Sequence, residues 1–202
     1  MKLTRIISPV LEKELKEIAG MNDEEVELYM SLLTKKCLRK KDYLLMPGDM
    51  CRHVSYINKG CMRRYIIDEH SKEVILNFAL EDHWVGDLES LIFQKPTEFY
   101  IQTLEDCELI QLSRENFFRA CNDIPKFKIF HDDKAQRNHF SALKRLSMAK
   151  SATPEEKYLD LMKKQPQIFQ RVPLHYIASY LGIEPESLSR IRKRIIIHPH
   201  TS

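Results

Sequence analysis

Turn signals recur at short, regular intervals through the first half of this chain, and that cadence constrains the fold more than any other feature. Tyr43, Leu44 and Leu45 run into Pro47-Gly48-Asp49, and Val54, Tyr56 and Ile57 run into Asn58-Lys59-Gly60. Met62, Tyr65, Ile66 and Ile67 then run into Asp68-Glu69-His70-Ser71, after which Val74, Ile75, Leu76 and Phe78 begin the next run. Short β-prone runs broken by Gly, Pro, Asn and Asp read as antiparallel strands, and at this spacing they favour a barrel or roll. Further strands are expected around Phe99 to Leu104 and Cys107 to Leu112. Ser113 is placed to cap a helix from Arg114, with Phe117 and Phe118 turned inward.

Ahead of the strands, residues about 8 to 33 read as helical in two pieces. Leu11, Leu15 and Ile18, then Val26, Tyr29, Met30 and Leu33, recur at helical spacing, with Asn22 or Asp23 as the cap between them. Behind the strands, Pro125 to Lys150 contains no Gly and no further Pro, which suits one long helix. Phe127 and Phe130 precede a polar centre, HDDKAQRNH, before Phe140, Leu143 and Leu146 resume. Such a helix reads as a dimer seam whose first half packs on the roll; a partly wet helix within one domain is the competing reading. Ser151 to Pro154 reads as a hinge and helix start, with Thr153 as cap and Pro154 at the first helical position. Tyr158, Leu159, Leu161 and Met162 would pack that next helix on a C-terminal helical pair.

The pair is carried by IASYLGIEPESLSRIRKR, residues 177–194, which reads as a helix, a sharp turn and a second helix bearing cations. Small Ala178 lets two helices approach, Gly182 supplies a positive φ, and Ile177, Leu181, Ile183, Leu188 and Ile191 form the shared seam. Pro185 suits the first turn of the second helix. Glu186, Ser187, Ser189, Arg190, Lys193 and Arg194 then point away from the seam, a set of donors and charges suited to phosphates and base edges. An ordinary helix pair in a core would share the seam, but charge favours DNA. Residues 134–202 hold 13 Lys and Arg against 5 Asp and Glu, a balance of +8, whereas residues 1–133 hold 19 against 24. The whole-chain charge of +3 conceals a basic end of the kind that meets nucleic acid.

A chain of 202 residues, 43% hydrophobic, can bury a substantial core and carry a second small domain. No apolar run nears the roughly 20 residues that span a bilayer, and the N-terminal stretch lacks a secretory pattern, so a soluble cytoplasmic protein is expected. Cys37, Cys51, Cys61, Cys107 and Cys121 are odd in number and dispersed, which argues against a disulfide framework or a closed zinc site.

The order of these elements resembles the Crp/Fnr family of bacterial transcription regulators over nearly the whole length. The likeness rests on the N-terminal helices, a roll with turns at Gly48, Gly60 and Gly86, the long helix, and IASYLG followed by PESLSRIRK. It implies an α+β protein: an antiparallel β-roll of the jelly-roll type with flanking helices as a cyclic-nucleotide-binding-like sensor domain over 1–123, a dimerisation helix over 124–150, and a helix–turn–helix DNA-binding domain over 151–202. It further implies that Glu186 and Arg190 read base edges, that Ser187 contacts backbone or base, and that His175, Lys193 and Arg194 contribute phosphate contacts. Members of the family usually continue into a wing; with this sequence closing on IIIHPHTS, none is expected, and the strands before the reader are reduced to Gln167 to Arg171.

The resemblance breaks at the effector site. Cyclic-nucleotide-binding members open a short cassette with glycine and glutamate and neutralise the phosphate with an arginine further on. Here the stretch reads GDLESLIFQKPTEFY: Gly86 matches, Asp87 is a shortened acid followed by Leu88, and Thr97 and Glu98 stand where the arginine belongs. A phosphate there would lack its bidentate partner, leaving Lys95 as a substitute point charge. The roll is therefore expected to bind something other than cyclic AMP, or nothing, with Asp87 and Glu89 as capping or solvated acids.

An iron–sulfur cluster finds no grouped thiolates, and His53, His70 and His83 have no spacing that marks haem or metal ligands. A metal-dependent jelly-roll enzyme with a helical interaction module is the rival reading, yet the only HxH is His198-Pro199-His200, and no nucleophile or phosphate-loop motif occurs. The expectation is a homodimeric regulator of double-stranded DNA without cofactor, metal or catalytic residues. Its further partners would be an unidentified small-molecule effector and RNA polymerase.

Overall fold

The computed structural model describes residues 8–197, so His198 and His200 lie outside it. Among these residues the chain divides into two compact units. One comprises the chain up to Arg64 together with Phe78–Asn138; the other comprises Tyr65–Asn77 and the chain from His139 onward. The long helix expected as one functional element is thus shared between them.

The first unit opens with α1 (Pro9–Lys13), capped by the Ser8 hydroxyl and started by Pro9. It continues as a π-helical turn, Glu14–Ile18, then α2 (Asp23–Ser31). Leu11 and Leu15 are buried but Ile18 is exposed, because the wider π turn carries it off the apolar face. Asn22 starts α2 through a reciprocal capping box: its side chain accepts from the Glu25 N–H, and the Glu25 carboxylate accepts from the Asn22 N–H, each at 2.8 Å.

Eight strands come next: β1 (Leu33–Leu38), β2 (Tyr43–Leu45), β3 (His53–Lys59), β4 (Met62–Ile67), β5 (Glu73–Ala79), β6 (Trp84–Val85), β7 (Tyr100–Thr103) and β8 (Cys107–Ser113). They form two four-stranded sheets, ordered β1-β8-β3-β6 and β2-β7-β4-β5. The roll expected from the turn cadence is therefore present. The cadence does not reveal β1, however, and Leu33, helical by its spacing, is the first residue of that strand. β1 is an edge strand pairing antiparallel with β8, from Leu33 opposite Leu112 to Leu38 opposite Cys107. Lys35 and Lys36 sit exposed on it, as suits an edge that must not recruit further strands. At the β3–β4 turn, Gly60 has φ of 115°, and a Cβ there would meet Cys107 Sγ at 2.5 Å and the Asp106 carbonyl at 2.9 Å. Only glycine fits.

A short helix, α3 (Leu88–Phe93), lies between β6 and β7, and α4 (Arg114–Asp123) comes after β8 with Ser113 as its cap. Phe117 is buried, but Phe118, expected inward beside it, is exposed and lies beneath the Arg114 guanidinium at 4.9 Å. Adjacent helical residues diverge by about 100°, so one stripe cannot hold both. Helix α5 runs from Pro125 to Ser151. Phe127 and Phe130 of its first half join the roll's core with Leu11, Tyr29, Leu109 and Phe117. Fully burying each such side chain contributes about 1.5–3 kcal/mol, which anchors that half of the helix firmly.

In the second unit, α6 (Pro154–Lys164) begins with a capping box between Thr153 and Glu156. Residues Ile168–Arg171, expected as a strand remnant, are instead a short helix, α7. Ile168 is fully buried and Phe169 packs edge-on against Tyr158, with ring centroids 5.0 Å apart. Local bonds such as Val172 N–H to Ile168 O, at 2.9 Å, occupy the backbone groups that a sheet would need. Helices α8 (Leu174–Leu181) and α9 (Pro185–Ile197) complete the unit. In the same unit the Ser179 hydroxyl donates to Glu73 O at 2.8 Å and accepts from Ile75 N–H at 3.1 Å. No described helix is long and apolar enough to cross a membrane.

Candidate effector pocket and DNA-reading helix

The stretch expected to hold an effector folds mainly onto itself. Asp87 is 6% exposed and caps α3, its carboxylate accepting from the Ser90 N–H at 3.2 Å and from the Thr97 hydroxyl at 2.6 Å. Thr97, 2% exposed, also accepts from the Phe99 N–H at 3.2 Å, and its backbone bridges to Gly48 and Asp49. Glu98 is exposed. Lys95 is exposed as well and faces Glu89 at 3.6 Å, so it does not stand in for a buried phosphate-binding cation. Of the acids, Glu89 is solvated, whereas Asp87 is a buried cap.

Beside this knot the first unit holds a half-open cavity of about 350 Å³, within the range of small-ligand sites. Gly86 and Leu88 line it; Asp87, Thr97 and Glu98 do not. Most of the wall is apolar and aromatic, including Trp84, Phe117, Phe127 and Phe130. Trp84 packs edge-on against Tyr56 with ring centroids 5.4 Å apart. It is the only tryptophan of the chain.

The polar groups of the wall come from residues that the sequence does not single out. Arg64 on β4 reaches the cavity, its guanidinium carbon 3.6 Å from the centroid of the Phe99 ring. Burial lowers the pKa of Arg64, countered in part by the field of Asp87 and then of Cys51. Its Nε is buried without a hydrogen-bond partner. Tyr29 on α2 also lines the cavity; its hydroxyl is buried without a partner, and burial raises its pKa strongly. Among the described residues these are the two buried side-chain polar atoms left unpaired, and both of their residues line the cavity. From α5, Lys134 is occupied by Glu14 at 2.6 Å. His131 packs on Phe117, and burial lowers its pKa despite the carboxylate of Asp132 at 3.6 Å. The available signal was the Arg63-Arg64 pair in an apolar strand. Alternation sends the two to opposite faces, and Arg63 bonds Gln102 at 2.7 and 3.1 Å.

In the second unit, α8 and α9 are joined through Gly182 at φ 68°. Ile177, Ala178, Leu181, Leu188 and Ile191 are buried as their seam, and Ile183 is half-buried. On the other side of α9, Glu186, Arg190, Lys193 and Arg194 are exposed, with Ser187 half-buried. Arg190 donates to the Ser187 hydroxyl at 3.0 Å, and Arg194 is paired with Glu155 of α6. His175 is exposed and lies against Tyr176 with ring centroids 4.0 Å apart and the rings tilted by 52°. Along the second half of α5, Phe140, Leu143 and Leu146 are 66%, 50% and 56% exposed. No group of three His, Cys, Asp or Glu residues suited to a metal ion occurs among the described residues.

Residues 35–123 match the family described as Cyclic nucleotide-binding domain. The architecture as a whole, this roll with a long helix and a helix–turn–helix after it, is the fold of the Crp/Fnr transcription regulators. Among solved structures, the chain is similar to the c-di-GMP-responsive global regulator CLP of Xanthomonas campestris, with a TM-score of 0.68 and 17% identity over 90% of this chain and 96% of that one. It is similar to a regulator of the Crp/Fnr family from Eubacterium rectale, with a TM-score of 0.67 and 14% identity over 95% and 88%. The catabolite activator protein of Thermus thermophilus gives a TM-score of 0.58 and 18% identity over 92% and 87%. Comparison with curated proteins finds no significant match.

Proposed function

We propose that this chain is a sequence-specific, DNA-binding transcription regulator of the Crp/Fnr type, acting as a cytoplasmic homodimer on a palindromic operator without dependence on cyclic AMP. The observation that carries the reading is the outer face of α9, where Glu186, Arg190 and Lys193 are exposed behind a turn held by Gly182, in the basic third of the chain. A helix so presented can enter a major groove, with Arg190 and Glu186 at base edges and Ser187, Lys193, Arg194 and His175 toward the backbone. In this reading residues 1–123 sense, 124–150 dimerise and 151–202 read DNA, with RNA polymerase as a downstream partner. We assign the chain no catalytic role and no cofactor.

Dimerisation is supported by the exposed stripe of Phe140, Leu143 and Leu146, which a second copy would cover. One reading helix spans only a few base pairs, and a two-fold pair reads two half-sites. The test is selection of bound fragments from sheared genomic DNA by the purified full chain, with sequencing of the retained fraction. An enriched two-fold symmetric motif is expected. Equal retention of all fragments, or no retention at low salt, would overturn the assignment.

A further inference from the structure

We infer that the cavity of the first unit is a binding site for a small amphipathic monoanion, a carboxylate on an aromatic or aliphatic body, with Arg64 and Tyr29 holding the head group. The inference deepens the sensor role proposed above and rests on that reading for its regulatory meaning, though not for binding itself.

Its basis is where the unpaired groups lie. A buried donor without a partner keeps its full desolvation cost, so such groups are rare and call for an explanation. Here the Arg64 Nε and the Tyr29 hydroxyl are the two described examples, and both residues line this cavity. The acid Asp87 acts on Arg64 through its field but does not bond Nε; its carboxylate accepts from Ser90 and Thr97. Arg64 is held on the Phe99 face instead, which positions the guanidinium without consuming its donors. A carboxylate in the cavity would offer both residues an acceptor, reached by small turns of their side chains, and would neutralise the half-buried guanidinium.

The rest of the wall selects the body. Trp84, Phe117, Phe127 and Phe130 offer apolar and aromatic surface. Lys134, the other cation of the wall, already has Glu14, so a second anionic charge would go unmatched. His131 is kept toward its neutral form by burial. A ribose or a second phosphate would set several hydroxyls and charges against a wall that is mostly apolar and has few polar groups, which disfavours nucleotides.

Trp84 lies in the wall as the sole tryptophan, so its fluorescence reports occupancy directly. The full-length protein is titrated with 4-phenylbutyrate and decanoate, with the amides of both, and with cyclic AMP. At least one carboxylate should give a saturable change and bind about tenfold or more tighter than its amide, as expected when a charge-assisted hydrogen bond is replaced by a neutral one. Arg64→Met should abolish that preference, and Tyr29→Phe should weaken the carboxylate more than the amide. Circular dichroism checks the folding of each variant; if Arg64→Met does not fold, Arg64→Lys, which keeps the charge but not the fork, should retain a reduced preference. No saturable response to either carboxylate, equal binding of acid and amide, or a folded Arg64→Met that keeps the preference would overturn the inference. DNA retention by the same preparation is measured separately. Loss of DNA binding with the carboxylate response intact refutes the regulator reading alone, and the converse refutes this site alone.

Discussion

The Thr97 hydroxyl donates a 2.6 Å hydrogen bond to the carboxylate of Asp87, joining the two ends of the segment that resemblance marked as the effector cassette. Both residues are spent on each other and on capping α3, so this contact is a strut beside the cavity. Thr97→Val removes the hydroxyl with little change of shape and leaves a buried carboxylate short of one donor. A loss of about 1.5–3 kcal/mol is expected in urea unfolding, the range for a hydrogen bond to a charged group, and Thr97→Ser should restore most of it. An unchanged Thr97→Val midpoint would show that water replaces the hydroxyl.

Cyclic AMP should not bind in the low micromolar range by calorimetry. The cassette lacks its arginine, Lys95 faces Glu89 in solvent, and the wall that Arg64 lines is mostly apolar. Tight saturable binding that disappears in Arg64→Met would instead make Arg64 a phosphate ligand.

Leu143→Asp should convert a dimer to a monomer. The parent stripe of Phe140, Leu143 and Leu146 is apolar and exposed on the single chain, and a carboxylate buried at its centre would lack a counter-ion. Sedimentation at micromolar concentration tests this; a monomeric parent, with or without DNA, removes the seam.

Arg190 should read sequence while Lys193 supplies attraction. Arg190→Ala is expected to weaken operator binding by about 1–3 kcal/mol and to relax preference at one base pair per half-site. Lys193→Ala should weaken operator and random DNA alike and lower the salt slope by about one. Arg194, already paired with Glu155, should matter less than Lys193 to random DNA. Binding to single-base operator variants at two salt concentrations separates these outcomes.

Stability should fall on mild acidification. Burial holds the His131 pKa below its ordinary 6.5, with Lys128 pushing the same way and Asp132 opposing. His53 is lowered too, by burial and then by Lys36 and Arg52. Between the folded values and 6.5 the unfolded chain binds more protons, so stability rises with pH in that window. The contribution is full above about 6.5 and is lost as pH falls through the folded values. Urea midpoints measured from pH 7.5 down to about pH 5 should decline, and less steeply in His131→Gln. An identical slope in that variant would exonerate His131.

Features whose causes are local were legible in the chain itself. Asn22 with Glu25, Ser113, and Thr153 with Pro154 start helices because a cap needs only the next three or four residues. Gly182 turns the reader pair because only its own φ is at stake. The turn cadence marked most strands of the roll for the same reason. Tertiary structure decided what depends on distant partners. LTKKCL carries no alternating pattern, and it is a strand because β8, some seventy residues on, offers an unpaired edge. Ile168–Arg171 is helical because its apolar residues find Tyr158 and the core of their own unit. Arg64 is the sharpest case. Alternation along β4 separates it from Arg63, but nothing within β4 says that one arginine will meet Gln102 and the other an aromatic-lined cavity. That outcome needs Phe99 on one side and α5 on another, brought together only when the roll closes, and burial is a property of the whole packing.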